Sequence, residues 1–120
     1  MENKSIEELN RELYEISLNL DYRYSELSEK RNSYIIAKAE YENSKDKFTI
    51  EAKQRDQSAT QTDISANAVC LSHESRMKMI RCDSEYNKLK NEIKALESKK
   101  DSLIEMCQNI RKEMSMLHLK

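Results

Sequence analysis

From Ile6 onward an apolar residue returns at every seventh position: Ile6, Leu13, Leu20, Leu27, Tyr34, Tyr41 and Phe48. Seven residues are close to two turns of α-helix, so these side chains form one stripe. A sustained repeat of this length marks left-handed coiled-coil packing. A companion column begins with Leu9 and Ile16, then decays to Arg23, Lys30, Ala37 and Ser44. A helix of about 50 residues is about 75 Å long, too long to bury its stripe against itself. It has to lie along another helix. The decay predicts an interface that changes character near Arg23, and the aromatic end of the stripe suits wider spacing or a multi-helix contact.

The second half carries the same pattern. Cys82, Leu89, Leu96, Leu103, Ile110 and Leu117 form one column, and Tyr86, Ile93, Lys100, Cys107 and Met114 the other. Lys100 alone breaks it. A single polar residue there either fixes register at a cost in stability or covers a splayed seam with its stem while its amine reaches water.

Between the halves, Gln54–Ala68 is poor in large apolar residues and rich in Ser, Thr, Gln and Asp. Ser58 with Gln61, and Thr60 with Asp63, have capping-box spacing, and both would start a new helix. The reading is one all-α domain over residues 1–120: a helix over about 4–55, a turn over about 56–62 and a helix over about 63–118. These form a long antiparallel helical hairpin with coiled-coil heptads. One continuous helix is the rival, since Ala and Gln are good helix formers. The chain has no Gly and no Pro, which leaves little material for further turns. With 36% of residues charged and 38% hydrophobic, composition alone would also fit disorder; the periodicity argues for helices. A two-helix hairpin buries only one stripe per helix, so self-association is expected, with Leu13, Leu20, Leu27, Leu89, Ile93, Leu96, Leu103 and Ile110 as the oligomer seam.

Signs of catalysis are lacking. The sequence contains no zinc-protease motif, no Cys-x-x-Cys, no nucleophile elbow and no glycine loop for phosphate. Cys70 and His73 have Cys-x-x-His spacing, but no cluster supplies the four ligands zinc generally takes. Cys82 and Cys107 sit in the columns, where free cysteine packs as a small hydrophobe. Neither a cofactor, a metal nor a small-molecule substrate is expected. No apolar run approaches the roughly 20 residues of a membrane span. The N-terminus has neither the basic start nor the apolar core of a signal peptide, and an odd cysteine count describes no disulfide framework. A cytoplasmic protein is expected.

The net charge of −1 hides an uneven distribution. Residues 1–29 hold eight acids against three bases, and residues 30–56 hold seven bases against five acids. Arg76, Lys78 and Arg81 follow the expected turn. A hairpin would bring them toward Lys45, Lys47, Lys53 and Arg55, making a positive end that suits phosphates opposite an acidic one. The alternative is an ordinary solvated face laced with intrahelical ion pairs. Tyr34, Tyr41 and Phe48 are read as core rather than as a base-stacking platform.

Ala37–Arg55, the polar break at Gln57–Thr62 and the long helix Asp83–Arg111 together resemble the UvsY-type recombination mediators of phages. Shared features are a basic first helix, a short break, an Ala-rich stretch and a long second helix with a Ser/Cys-bearing end. The resemblance covers about two thirds of the chain and leaves out the acidic arm at 1–29. It implies an oligomeric, non-enzymatic phage accessory protein of the host cytoplasm. Such a protein binds single-stranded DNA and helps a recombinase or annealing protein displace single-strand-binding protein. By position, the contacts would come from Lys45, Lys47, Lys53 and Arg55. The slightly acidic balance and the absence of glycine at the break depart from the family pattern. Two other functions fit the residues: a coiled-coil adaptor or scaffold that binds only protein, and a phage inhibitor of a host protein whose acidic helix mimics nucleic acid.

Overall fold

The computed structural model describes residues 4–55 and 60–118, and these are helical almost throughout, with no strand among them. Helix α1 spans Ile6–Arg55, α2 spans Gln61–Leu71 and α3 spans His73–His118. The fold is an all-α helical hairpin, the first of the two arrangements that the columns allow. Residues 56–59, which hold most of the expected turn and Ser58 of the first expected capping box, lie outside the described residues.

Local chemistry sets the helix starts. Ser5 caps α1: its Oγ accepts from the Glu8 N–H at 3.2 Å, and its carbonyl accepts from Leu9 at 3.0 Å. The Ser-x-x-Glu spacing is another capping-box signature. Glu7 and Glu8 in the first turn and Lys53 and Arg55 in the last complement the helix dipole. Thr60 caps α2 as its spacing to Asp63 suggests, its Oγ1 accepting from the Asp63 N–H at 3.2 Å.

The second helical segment differs from the expectation of one unbroken helix over about 63–118. It begins two residues earlier and is interrupted at Ser72, which closes α2 with φ −96° and ψ 18°. The Ser72 hydroxyl donates to the Ala68 carbonyl at 2.6 Å, and the Ser72 N–H also donates to that carbonyl at 3.1 Å. The Arg76 N–H in turn donates to the Ser72 carbonyl at 3.0 Å. Backbone bonding therefore passes through the break. A serine bonding back onto the preceding turn bends a helix without ending it.

Contacts divide the chain into two compact units: Met1–Glu26 with Leu89–Lys120, and Leu27–Lys88. In the first, α1 and α3 run antiparallel. Asn10 Oδ1 lies 4.0 Å from Cys107 Sγ, and Arg23 reaches Glu92 at 2.8 Å. Its buried core is Leu9, Ile16, Leu20, Leu89, Ile93, Leu103 and Cys107, all on the predicted columns. In the second unit α1 and α3 are again antiparallel, with Lys30 to Glu85 at 3.2 Å and Ser44 Oγ to Ser75 Oγ at 3.3 Å. Here the buried residues are Ala37, Ile64, Ala68 and Ser72. The last three repeat every four residues and give α2 and its junction one inward face.

The residues assigned to an oligomer seam line this intramolecular interface. Leu20, Leu89, Ile93 and Leu103 are buried, and Leu13, Leu27, Leu96 and Ile110 are half-buried, within a single chain. Lys100 is also half-buried and joins no ion pair among the described residues.

Candidate nucleic-acid interface

The decay of the second α1 column has a physical explanation. Arg23 and Lys30, seven residues apart, are both half-buried and reach across to Glu92 and Glu85, themselves seven apart. Where the stripe loses its aliphatic residues, cross-helix ion pairs take the positions. These side chains are a third to a half exposed, so each pair contributes at most about 1 kcal/mol. The sequence signal was available in the matching spacing of bases on one helix and acids on the other.

The Tyr24 hydroxyl donates to Glu97 at 2.9 Å in the first unit. That bond, with some loss of hydration and the nearby charges of Glu97 and Asp21, holds the phenol above its ordinary value of 10.0.

All seven predicted cations fall in the unit Leu27–Lys88. Lys47, Lys53, Arg55, Arg76 and Arg81 are exposed, and none joins an ion pair within 4.0 Å among the described residues. Lys78 is committed to Glu40 at 3.1 Å. Lys45 is half-buried, with its amine 5.6 Å from the centre of the Tyr41 ring. The contact between Ser44 and Ser75 brings the following residues, Lys45 and Arg76, to the same level of the hairpin. Lys47 lies seven residues from Glu40 and so shares a flank with the Glu40–Lys78 pair. Lys53 and Arg55 lie at the end of α1. The cations are thus distributed over the unit rather than gathered into one cluster.

The contrast between a positive end and an acidic end is weaker than α1 alone suggests. Leu27–Lys88 holds eleven Lys and Arg against ten Asp and Glu; the rest of the chain holds ten against twelve. The acidic stretch Met1–Glu26 holds seven acids against three bases and Leu89–Lys120 holds seven bases against five acids, so half of the net negative charge of the first is offset within its own unit. Tyr34, Tyr41 and Phe48 are half-buried. Cys70 is exposed, Cys82 half-buried and Cys107 buried. Among the described residues no group of three or more His, Cys, Asp or Glu side chains is placed to hold a metal, and no helix is long and apolar enough to cross a membrane.

Compared with protein-family models, with curated proteins and with solved structures, the chain finds no match in any of the three.

Proposed function

We propose that this chain is a non-enzymatic, oligomeric accessory protein that binds single-stranded DNA and assists a phage recombinase or annealing protein. The observation that supports this most directly is that five of the predicted cations, Lys47, Lys53, Arg55, Arg76 and Arg81, are exposed, have no ion-pair partner among the described residues and share one unit of the fold. Such side chains are available to phosphates at little cost, since no protein ion pair has to break. Lys45 adds a charge at the level of Arg76. Few contacts per chain make weak binding, and an oligomer multiplies them through effective concentration. The resemblance to UvsY-type mediators supplies the recombination role.

Fluorescence anisotropy with labelled single-stranded DNA at two salt concentrations tests the reading. Binding that falls steeply with salt, and is lost when Lys47, Lys53, Arg55, Arg76 and Arg81 are changed to Glu, is the expected result. Absence of binding at low salt by a folded chain rejects it.

The second reading is a protein-binding helical scaffold. It is favoured by apolar side chains on α1 directed away from the hairpin seam, among them Tyr14, Leu18 and Tyr22. Self-association without nucleic-acid affinity is its signature.

A further inference from the structure

Within the unit Leu27–Lys88 the seam between α1 and α3 has two edges, and their charges are handled differently. Glu40 of α1 reaches Lys78 of α3 at 3.1 Å and so marks one edge. Lys38 lies two residues before Glu40, and Arg76 lies two residues before Lys78. Two residues turn an α-helix by about 200°, so both of these cations flank the seam on the other edge. Seven-residue steps along α1 bring Arg31 and Lys45 into line with Lys38. The Ser44–Ser75 contact, at 3.3 Å, sets Lys45 level with Arg76 across the seam.

On the first edge charges are matched inside the chain, Lys78 with Glu40 and Lys30 with Glu85 at 3.2 Å. On the second, none of Arg31, Lys38, Lys45 and Arg76 joins an ion pair within 4.0 Å among the described residues. Two acids share this edge. Asp83, seven residues beyond Arg76, is half-buried and accepts from Asn87 Nδ2 at 3.2 Å. Glu42 is exposed, four residues from Lys38 and three from Lys45. The neighbouring acids lie elsewhere. Glu29 and Glu74 come two residues before Arg31 and Arg76, on the far side of their helices from this edge, and Asp46, two residues from both Ser44 and Phe48, faces away from the seam. Four bases against two acids leave the second edge positive.

We propose that a single strand of DNA runs along this second edge, with its phosphates on Arg31, Lys38, Lys45 and Arg76. The inference rests on the DNA reading proposed above and extends it to Arg31 and Lys38, which no motif in the sequence singles out. The form of the ligand follows from the layout. The three cations of α1 stand in a row at intervals of about 10.5 Å and do not converge on one point. A small anion touches one of them at a time, whereas a linear polyanion touches all. The row is about 21 Å long, enough for several successive phosphates. Glu42, inside the row, opposes the strand and limits its affinity.

Anisotropy with labelled oligothymidylate across a salt series, on the full chain, tests the edge. One variant carries Arg31→Gln and Lys38→Gln. Its control carries Lys94→Gln and Lys112→Gln, the same change in net charge at exposed cations of the other unit. All four positions are exposed and none joins an ion pair among the described residues, so circular dichroism is expected to match the wild type. Loss of two phosphate contacts should weaken binding about tenfold at low salt and reduce the slope of log affinity against log salt by about 1.4, while the control keeps the wild-type slope. A second pair of variants reads in the opposite direction. Glu42→Gln should tighten binding, and Glu29→Gln, an equal charge change off the edge, should leave it as it was. Wild-type slope and affinity in the Arg31→Gln, Lys38→Gln variant, equal losses in that variant and its control, or no gain from Glu42→Gln over Glu29→Gln overturns the edge and leaves the DNA reading standing. Absence of binding by the wild type at low salt overturns both.

Discussion

The unit formed by Met1–Glu26 and Leu89–Lys120 buries Leu9, Ile16, Leu20, Leu89, Ile93 and Leu103, whereas Leu27–Lys88 buries Ala37, Ile64, Ala68 and Ser72. A fully buried Leu or Ile contributes about 1.5–3 kcal/mol, and an alanine methyl about 0.8. Most of the apolar burial that holds the fold therefore lies in the first unit. The second uses small side chains, a third helical element and a bonded serine; exposed cations without ion-pair partners among the described residues occur in both units, Arg11, Lys90, Lys94, Lys99, Arg111 and Lys112 in the first. Taken with the DNA reading proposed above, this gives a division of labour: one unit supplies most of the aliphatic burial and the other the proposed surface for a charged ligand.

The largest expected effect comes from emptying the aliphatic core. Leu103→Ala, at a side chain 4% exposed, should cost about 2–4 kcal/mol. Chemical denaturation followed by circular dichroism reads this as a lowered midpoint with loss of helix. A cost below about 1 kcal/mol would mean the first unit is not the stabilising one. Next comes overfilling the small-residue core. Ala68→Leu, at a position 0% exposed, should destabilise by about 1–3 kcal/mol, read by the same titration. An unchanged or raised midpoint would show that the second unit is loosely packed.

Smaller effects concern the polar contacts. A double-mutant cycle on Arg23 and Glu92, both changed to Ala, should give a coupling of at most about 1 kcal/mol that shrinks in high salt. The smallest effect is that of Tyr24→Phe. The folded phenol has a raised pKa, so the stability from its bond to Glu97 is complete below the ordinary value of 10.0 and is lost as pH rises through the higher folded value. Wild type and Tyr24→Phe should differ slightly in Tm at neutral pH, and their melting curves should converge at strongly alkaline pH.

Much of the fold was legible because seven-residue spacing is a geometric signal. Every large buried side chain of the first unit lies on a column read from the sequence, and Thr60 with Asp63 marked the start of α2. The break at Ser72 was not legible: it uses neither Gly nor Pro, only a hydroxyl bonded back to Ala68, and serine occurs in unbroken helices too. Arg23 and Lys30 looked like failure of the stripe because a single column does not reveal the acids on the other helix. The assignment of Leu96 and its neighbours to an oligomer seam shows a further ambiguity. Heptads state that two helices pack, not whether they belong to one chain. Of the candidate interface, residue types and their common unit were readable. The commitment of Lys78 to Glu40 depended on the register between helices, which composition does not carry, whereas Lys45 over Tyr41 is a four-residue spacing on one helix that the sequence does offer.

Hydrogen exchange measured segment by segment, with and without single-stranded DNA, tests the division of labour most directly. Without DNA, amides in residues 9–26 and 89–110 should exchange slowest, since their opening exposes the aliphatic core. With DNA, new protection should be confined to segments around residues 31–55 and 73–81. Uniform exchange across both units, or DNA-dependent protection centred on residues 9–26 and 89–110, would contradict the account.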